Sequence, residues 1–314
     1  MTHETTQALR AFLLPHLSVL RIGGPDAATF LQGQLTNDTR LLADGRTQLS
    51  ACNTAHGRVI AVLRLRQQED AIFALLPADL AVRVATHLRK FILRAKVELL
   101  HAHDLMVGAV VTDTEALGAM LERVDESALT LSPVPLSGVT DIVTFKYAPG
   151  REVVVAPPAA WRAIRGLSVT RASEQASNEW LAEDIRAGLP QVTAVSSEQF
   201  VPQMLNLDLL EGISFAKGCY TGQEIVARTQ NLGRIKRRAL RYTVAGGAAP
   251  APMQGLMLDG TKVAEVLMSA ALPTGAVELL AVTNLESRGR ELELPDGRRA
   301  VPAPLPYPVV AGEP

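Results

Sequence analysis

The chain has 314 residues, 47% hydrophobic and 20% charged, enough to bury substantial cores in two or three domains. Its 31 basic and 32 acidic residues leave a net charge of -1, which excludes a global attraction to nucleic acid or an anionic membrane. Cys52 and Cys219 make no disulfide framework, no apolar run is long enough to cross a bilayer, and the opening Met1-Thr2-His3-Glu4 starts no signal segment, so a reducing, cytoplasmic setting is expected.

Leu17–Ile22 reads as a strand that breaks at Gly23-Gly24. Pro25 suits a first helical turn, and Ala27, Phe30, Leu31 and Gln34 fall at helical spacing, which predicts a helix over Pro25–Gln34. Ala51–Arg66 reads as a hairpin turning at Asn53–Gly57, with Val59, Ala61, Leu63 and Leu65 alternating. A helix follows over Leu80–Phe91, then strands over Val97–Leu100, Met106–Thr112, Ile142–Tyr147 and Glu152–Ala156, the last two flanking Pro149-Gly150. Ser177–Ala187 is helical and ends at Gly188 and Pro190.

From about residue 239 the pattern changes to short strands: Leu240–Val244, Leu256–Leu258, Val263–Met268, Val277–Val282 and Glu291–Leu294, separated by Gly246-Gly247, Asp259-Gly260 and Asp296-Gly297. The expected class is α+β, with a mixed body over residues 1–238 and a small closed or sandwich-like β domain over residues 239–314.

The most informative stretch is Lys217-Gly218-Cys219-Tyr220-Thr221-Gly222-Gln223-Glu224. Thr221 and Glu224 have capping-box spacing, which predicts a helix starting at Gly222. Cys219 then precedes the positive end of a helix dipole with the cation Lys217 beside it, and both favour thiolate. On local sequence alone, a cysteine is also a small apolar residue that usually sits inert in a core.

Lys-Gly-Cys-Tyr-x-Gly-Gln-Glu resembles the signature of the YgfZ family, folate-binding relatives of the glycine-cleavage T-protein. Phe200–Asp208 and Gly212–Phe215 resemble that family's approach to the signature, and Val226–Thr229 and Lys236–Arg238 its exit. Gly24–Ala27 and Phe30–Asp38 are similar to its first motif, and Leu305-Pro306-Tyr307 to its terminal Leu-Pro-Tyr. These motifs stand in family order along nearly the whole chain.

The resemblance implies a T-protein-like body of two interleaved subdomains around a central channel for tetrahydrofolate or a derivative, possibly polyglutamylated, followed by a C-terminal β-barrel. It implies folate contacts at Asn37, Asp38, Tyr220, Gln223, Glu224 and Arg228, and a functional thiol at Cys219 with Lys217 as its cation. Asn37 and Asp38 read from sequence alone as turn or cap residues. The implied role is support of iron–sulfur enzymes, with tRNA modification affected through a client; the implied partners are folate and iron–sulfur client or assembly proteins, with no direct nucleic-acid or membrane contact.

Two departures stand out. T-proteins carry an acidic pair where this chain has Ala61 and Val62, which can neither accept a proton nor stabilise a cation, so aminomethyl transfer by that route is not expected. T-proteins hold the pterin edge with a glutamate where this chain has Arg186, a donor only. Either Glu183 or Asp184 substitutes, the pterin binds differently, or Arg186 is simply an ion-paired helix residue.

Two other readings remain open: a folate-dependent transferase or demethylase for another substrate, and an RNA-binding scaffold using the basic run Arg234, Lys236, Arg237, Arg238 and Arg241. His3, His16, His56, His87, His101 and His103 show no zinc-site spacing with the cysteines, and no metal site is expected. Trp180 is expected to anchor a core.

Overall fold

The computed structural model describes residues 10–111, 142–148, 150–167, 174–231 and 235–309. Thr112, Pro149, Arg234 and His3, named above, lie outside them.

Two antiparallel sheets form the body, and the chain weaves between them. One has five strands in the order β3-β4-β5-β2-β6: β2 (Leu17–Gly23), β3 (Gln48–Asn53), β4 (Val59–Gln68), β5 (Ala71–Pro77) and β6 (Glu98–His101). The other has four, in the order β1-β7-β9-β8: β1 (Arg10–Leu13), β7 (Met106–Val111), β8 (Val143–Ala148) and β9 (Arg151–Ala156). The first strand thus pairs with the seventh, Arg10 opposite Val111, while the five-stranded sheet is formed by the chain between them.

The two sheets pack face to face. Leu17, Val19, Phe73 and Leu75 from one meet Phe12, Val107, Phe145, Val153 and Val155 from the other, with Trp180 at the end of this core. On the far side of the five-stranded sheet, Leu20, Ile22, Ile72, Ala74 and Leu76 join a larger core with α1 (Ala27–Gln32) and α2 (Ala81–Arg89). Trp161 and Ile164 of α3 (Pro158–Leu167) cover the outer face of the four-stranded sheet.

This layering explains why β5 escapes sequence periodicity. Its residues alternate between two cores, so all seven are buried and no polar face remains to mark a period of two. The helix expected from Pro25 is shorter than predicted, because Leu35 bridges to Cys52 and the Thr36 amide donates to the Ala51 carbonyl. Pairing with β3 takes these residues out of the helix.

The C-terminal strands close into a barrel in the order β10-β13-β12-β11-β14-β15. They are β10 (Arg237–Ala245), β11 (Gly255–Leu258), β12 (Thr261–Ala271), β13 (Ala276–Asn284), β14 (Leu292–Glu293) and β15 (Arg299–Ala303). Val277, Leu279 and Ala281 of β13 fill the barrel, whereas Leu280 and Val282 face the body core. Helix α4 (Glu174–Arg186) lies against β12 and β13. No helix among the described residues is long and apolar enough to cross a membrane.

Candidate functional site

Residues 33–37, after α1, run alongside residues 211–221, and hydrogen bonds join the two segments along their length. The Thr221 amide donates to the Gly33 carbonyl at 3.2 Å and its hydroxyl to Gln34 Oε1 at 3.1 Å. The Ser214 amide donates to the Thr36 carbonyl at 3.0 Å, and Thr36 Oγ1 to the Gly212 carbonyl at 2.7 Å. Asn37 Nδ2 reaches the Glu211 carbonyl at 2.6 Å and the Leu49 carbonyl at 2.8 Å, while its Oδ1 accepts from the Asp38 amide.

Asn37 lines a cavity of about 470 Å³ between this seam, β3, β4 and β8. That volume lies within the range of small-molecule sites. Arg46, Arg64 and Lys146 bring three cations to its wall, against one acidic residue, Glu211. The Arg64 guanidinium lies 3.7 Å over the Tyr147 ring, which also lines the cavity. Behind it Tyr147 meets Trp180 at 5.3 Å, and Trp180 carries the Arg151 guanidinium at 3.9 Å.

Gln48, on β3, has an unusual place in this wall. Its Nε2 donates to the Asp38 carbonyl at 2.8 Å, whereas its buried Oε1 has no protein partner. An orphaned buried acceptor costs about 1–3 kcal/mol, so a donor supplied by a ligand would be favourable there.

The Asp38 carboxylate has local partners. It caps the turn Thr39–Asp44 by accepting from the Arg40 amide and pairs with the Arg40 guanidinium at 2.9 Å. That partner holds its carboxyl down at about 2.

Lys217 has its own distant partners. It is buried, and its Nζ donates to the carbonyls of Leu35 at 2.7 Å and Asn37 at 2.8 Å. Desolvation brings its pKa down to about 8, partly opposed by Asp38. The amine therefore serves two interior carbonyls, while Cys219, two residues on, is exposed. Tyr220 packs its buried ring 5.1 Å from the Lys217 amine.

The helix after the signature, α5, runs Gln223–Asn231. It starts one residue later than its spacing predicts, because Gly222 has φ of +80°, outside the right-handed helical region. A Cβ on Gly222 would stand 2.5 Å from the Thr54 carbonyl oxygen and 2.9 Å from Gly57 Cα. The hairpin turn between β3 and β4 thus sits directly on the N-terminus of α5, with glycine on both sides of the contact. Gln223 is half-buried, and Glu224 and Arg228 project to solvent, paired with each other at 3.2 Å.

Ala61 and Val62 are buried on β4, so no carboxylate occupies those positions. Arg186 pairs with Glu183 and, at 2.9 Å, with Glu278 of β13, which also holds Arg241 at 3.0 Å. Asp184 is fully buried against Arg151 at 2.8 Å. The basic run is likewise drawn inward: Arg237 pairs with Glu265 and Arg238 with Asp208, both at 2.7 Å, leaving Lys236 exposed. Among the described residues of the run, Arg237, Arg238 and Arg241 are thus each held by a carboxylate.

His101 accepts or donates one bond with Ser18 Oγ at 2.8 Å, and no group of three metal-ligating side chains occurs among the described residues. Gln48, Arg64, Lys146 and Tyr147 are among the cavity residues that sequence reasoning missed. They lie on strands, and only the packing of one sheet on the other brings them to one wall.

Comparison with known proteins matches this architecture. The protein named "tRNA-modifying protein YgfZ" from Enterobacter sp. (strain 638) is 34% identical over 296 residues, covering 91% of this chain and 89% of that protein. The chain belongs to the YgfZ family. The Edwardsiella ictaluri (strain 93-146) YgfZ is 32% identical over 301 residues, covering 92% of this chain and 89% of its own length. No protein-family model matches the chain.

Among solved structures, the glycine cleavage system aminomethyltransferase T from Bartonella henselae superposes with a TM-score of 0.73, over 95% of this chain and 85% of its own, at 15% identity. The YgfZ chain described here therefore has the T-protein fold: an α+β body followed by a closed six-stranded barrel. Within that fold the YgfZ signature forms the loop that carries Cys219 and seals residues 33–37.

Proposed function

We propose that this protein binds tetrahydrofolate or a derivative in the cavity beside Asn37 and, through Cys219, supports iron–sulfur enzymes, including a client that modifies tRNA. The reading is carried by the cavity wall: Gln48, whose buried Oε1 has no protein partner, lines it together with Arg46, Arg64 and Lys146. A folate is a planar heterocycle with N–H donors at one end and glutamate carboxylates at the other, which these groups complement. Polyglutamate would extend the anionic end. The name of this protein's relatives, tRNA-modifying protein YgfZ, supports the link to tRNA modification.

Aminomethyl transfer is not part of this reading, because the strand that would supply the acid presents Ala61 and Val62. Asn37 shapes the wall but has its carboxamide engaged by Leu49, Glu211 and Asp38. Gln48 is the better candidate for the ring edge.

Calorimetric titration of the anaerobic protein with tetrahydrofolate tests the binding. Saturable binding is expected, weakened about tenfold in Gln48→Met, the worth of one hydrogen bond to a buried partner. Absence of saturable binding to the wild type would overturn the reading. Cys219→Ala is expected to bind folate like the wild type, with its stability changed by less than about 0.5 kcal/mol, because the residue is exposed. It is expected to fail to restore iron–sulfur enzyme activity in a deletion strain, and full restoration would remove the thiol from the function.

A further inference from the structure

The seam between residues 33–37 and 211–221 borders the cavity at its Asn37–Glu211 end and carries the exposed cysteine near its Gly33–Thr221 end. Asn37, at one end of the seam, lines the cavity together with Glu211, Ile213 and Ser214. Cys219 lies between the seam's last two ties, Lys217 to Leu35 and Asn37, and Thr221 to Gly33 and Gln34. The Lys217 tie is unusual, since a buried lysine bonded to two backbone carbonyls and to no carboxylate has only the longer-range attraction of Asp38 to offset its desolvation. Such a costly group marks a join that apolar packing does not supply.

We propose that Lys217 is a positioning residue that couples the cavity to Cys219: its amine clamps the cavity-wall segment Leu35–Asn37 to the cysteine loop, so that a ligand in the cavity alters the presentation of the thiol. This rests on the reading that the cavity holds a folate. A ligand pressing on Asn37 or Ser214 shifts the carbonyls to which Lys217 is bonded, and the loop two residues from Cys219 moves with them. The coupling needs no contact between ligand and sulfur.

The test is the rate of Cys219 alkylation by iodoacetamide in the full-length protein, followed by peptide mass spectrometry. Buried Cys52 serves as the internal reference for unfolding. Rates are compared without ligand and with 5-formyl-tetrahydrofolate at a saturation checked by calorimetry. In the wild type, the ligand is expected to change the rate about fivefold, the low end of ordinary coupling between sites.

Lys217→Met is expected to bind the ligand but lose most of that dependence, and to alkylate at a different rate from the wild type even without ligand. A merely structural lysine would instead lower stability and leave the ratio of rates intact. Thr221→Val, which removes the milder tie to Gln34, provides a second variant if Lys217→Met does not fold. An unchanged wild-type rate at proven saturation overturns the coupling while leaving folate binding standing. Failure of the ligand to bind overturns the binding reading instead, and the clamp is then judged by the ligand-free rates: equal rates in wild type and both variants overturn it.

Discussion

Asp38 shows how a side chain that the family motif links to folate also takes up strong local partners. Its carboxylate caps a turn and holds Arg40, the role that Asp ordinarily takes in such loops. Because Arg40 depresses its pKa from 3.8 to about 2, the stabilisation is complete above the unfolded value and disappears as pH falls through the folded one. Asp38→Asn is therefore expected to cost about 1 kcal/mol near neutral pH, and urea midpoints of the two proteins should converge between about pH 4 and about pH 2. Lys217 gives the complementary lesson. Its neighbour in sequence suggested a partner for the thiol, but a lysine's direction is set by acceptors far along the chain, here Leu35 and Asn37. Local spacing identified the important residue without revealing what it touches.

At the scale of elements, the contact between the β3–β4 turn and the start of α5 explains why the signature needs glycine. Gly222→Ala must move either the Thr54 carbonyl or the helix, and its left-handed φ adds backbone strain of about 1–3 kcal/mol. The variant should melt lower and lose the hydrogen-exchange protection of the α5 amides, with the barrel unaffected. Most elements were legible because they alternate or repeat at helical spacing: β2, the β3–β4 hairpin, α2 and α4 all stand within a few residues of expectation. β5 was not legible, since it has a core on each face. β1 was also missed: four residues, Arg10–Leu13, are too few to show a period.

Across the whole molecule, barrel and body are joined by polar ties as well as by packing. Arg238 at the start of β10 is buried with Asp208, their side chains 5% and 7% exposed, and also donates to the Gln203 carbonyl. Arg238→Ala leaves a buried carboxylate uncompensated and is expected to cost about 3–5 kcal/mol in chemical denaturation. Tyr307, in the terminal Leu-Pro-Tyr, donates to the Gly188 carbonyl at 2.7 Å and accepts from Asn206 Nδ2 at 3.3 Å. Tyr307→Phe is expected to cost about 1 kcal/mol and to increase protease nicking near the C-terminus. A small β domain was legible from its turns, and its barrel form from the family resemblance, but these ties were not, because each joins residues that are neighbours only after the barrel has docked.

The weave of the body bears on how the chain is born. On a ribosome, β1 emerges before the rest of its sheet and finds no lasting edge, since its partner β7 follows only after the whole of β2–β6, with Arg10 waiting for Val111. The five-stranded sheet can pair as soon as its own hairpins are released, whereas the four-stranded one needs both β1 and β9, the latter ending at Ala156. Long-range closure of this kind slows folding, and it leaves an apolar strand, Ala11 and Phe12 included, open to chaperones during synthesis.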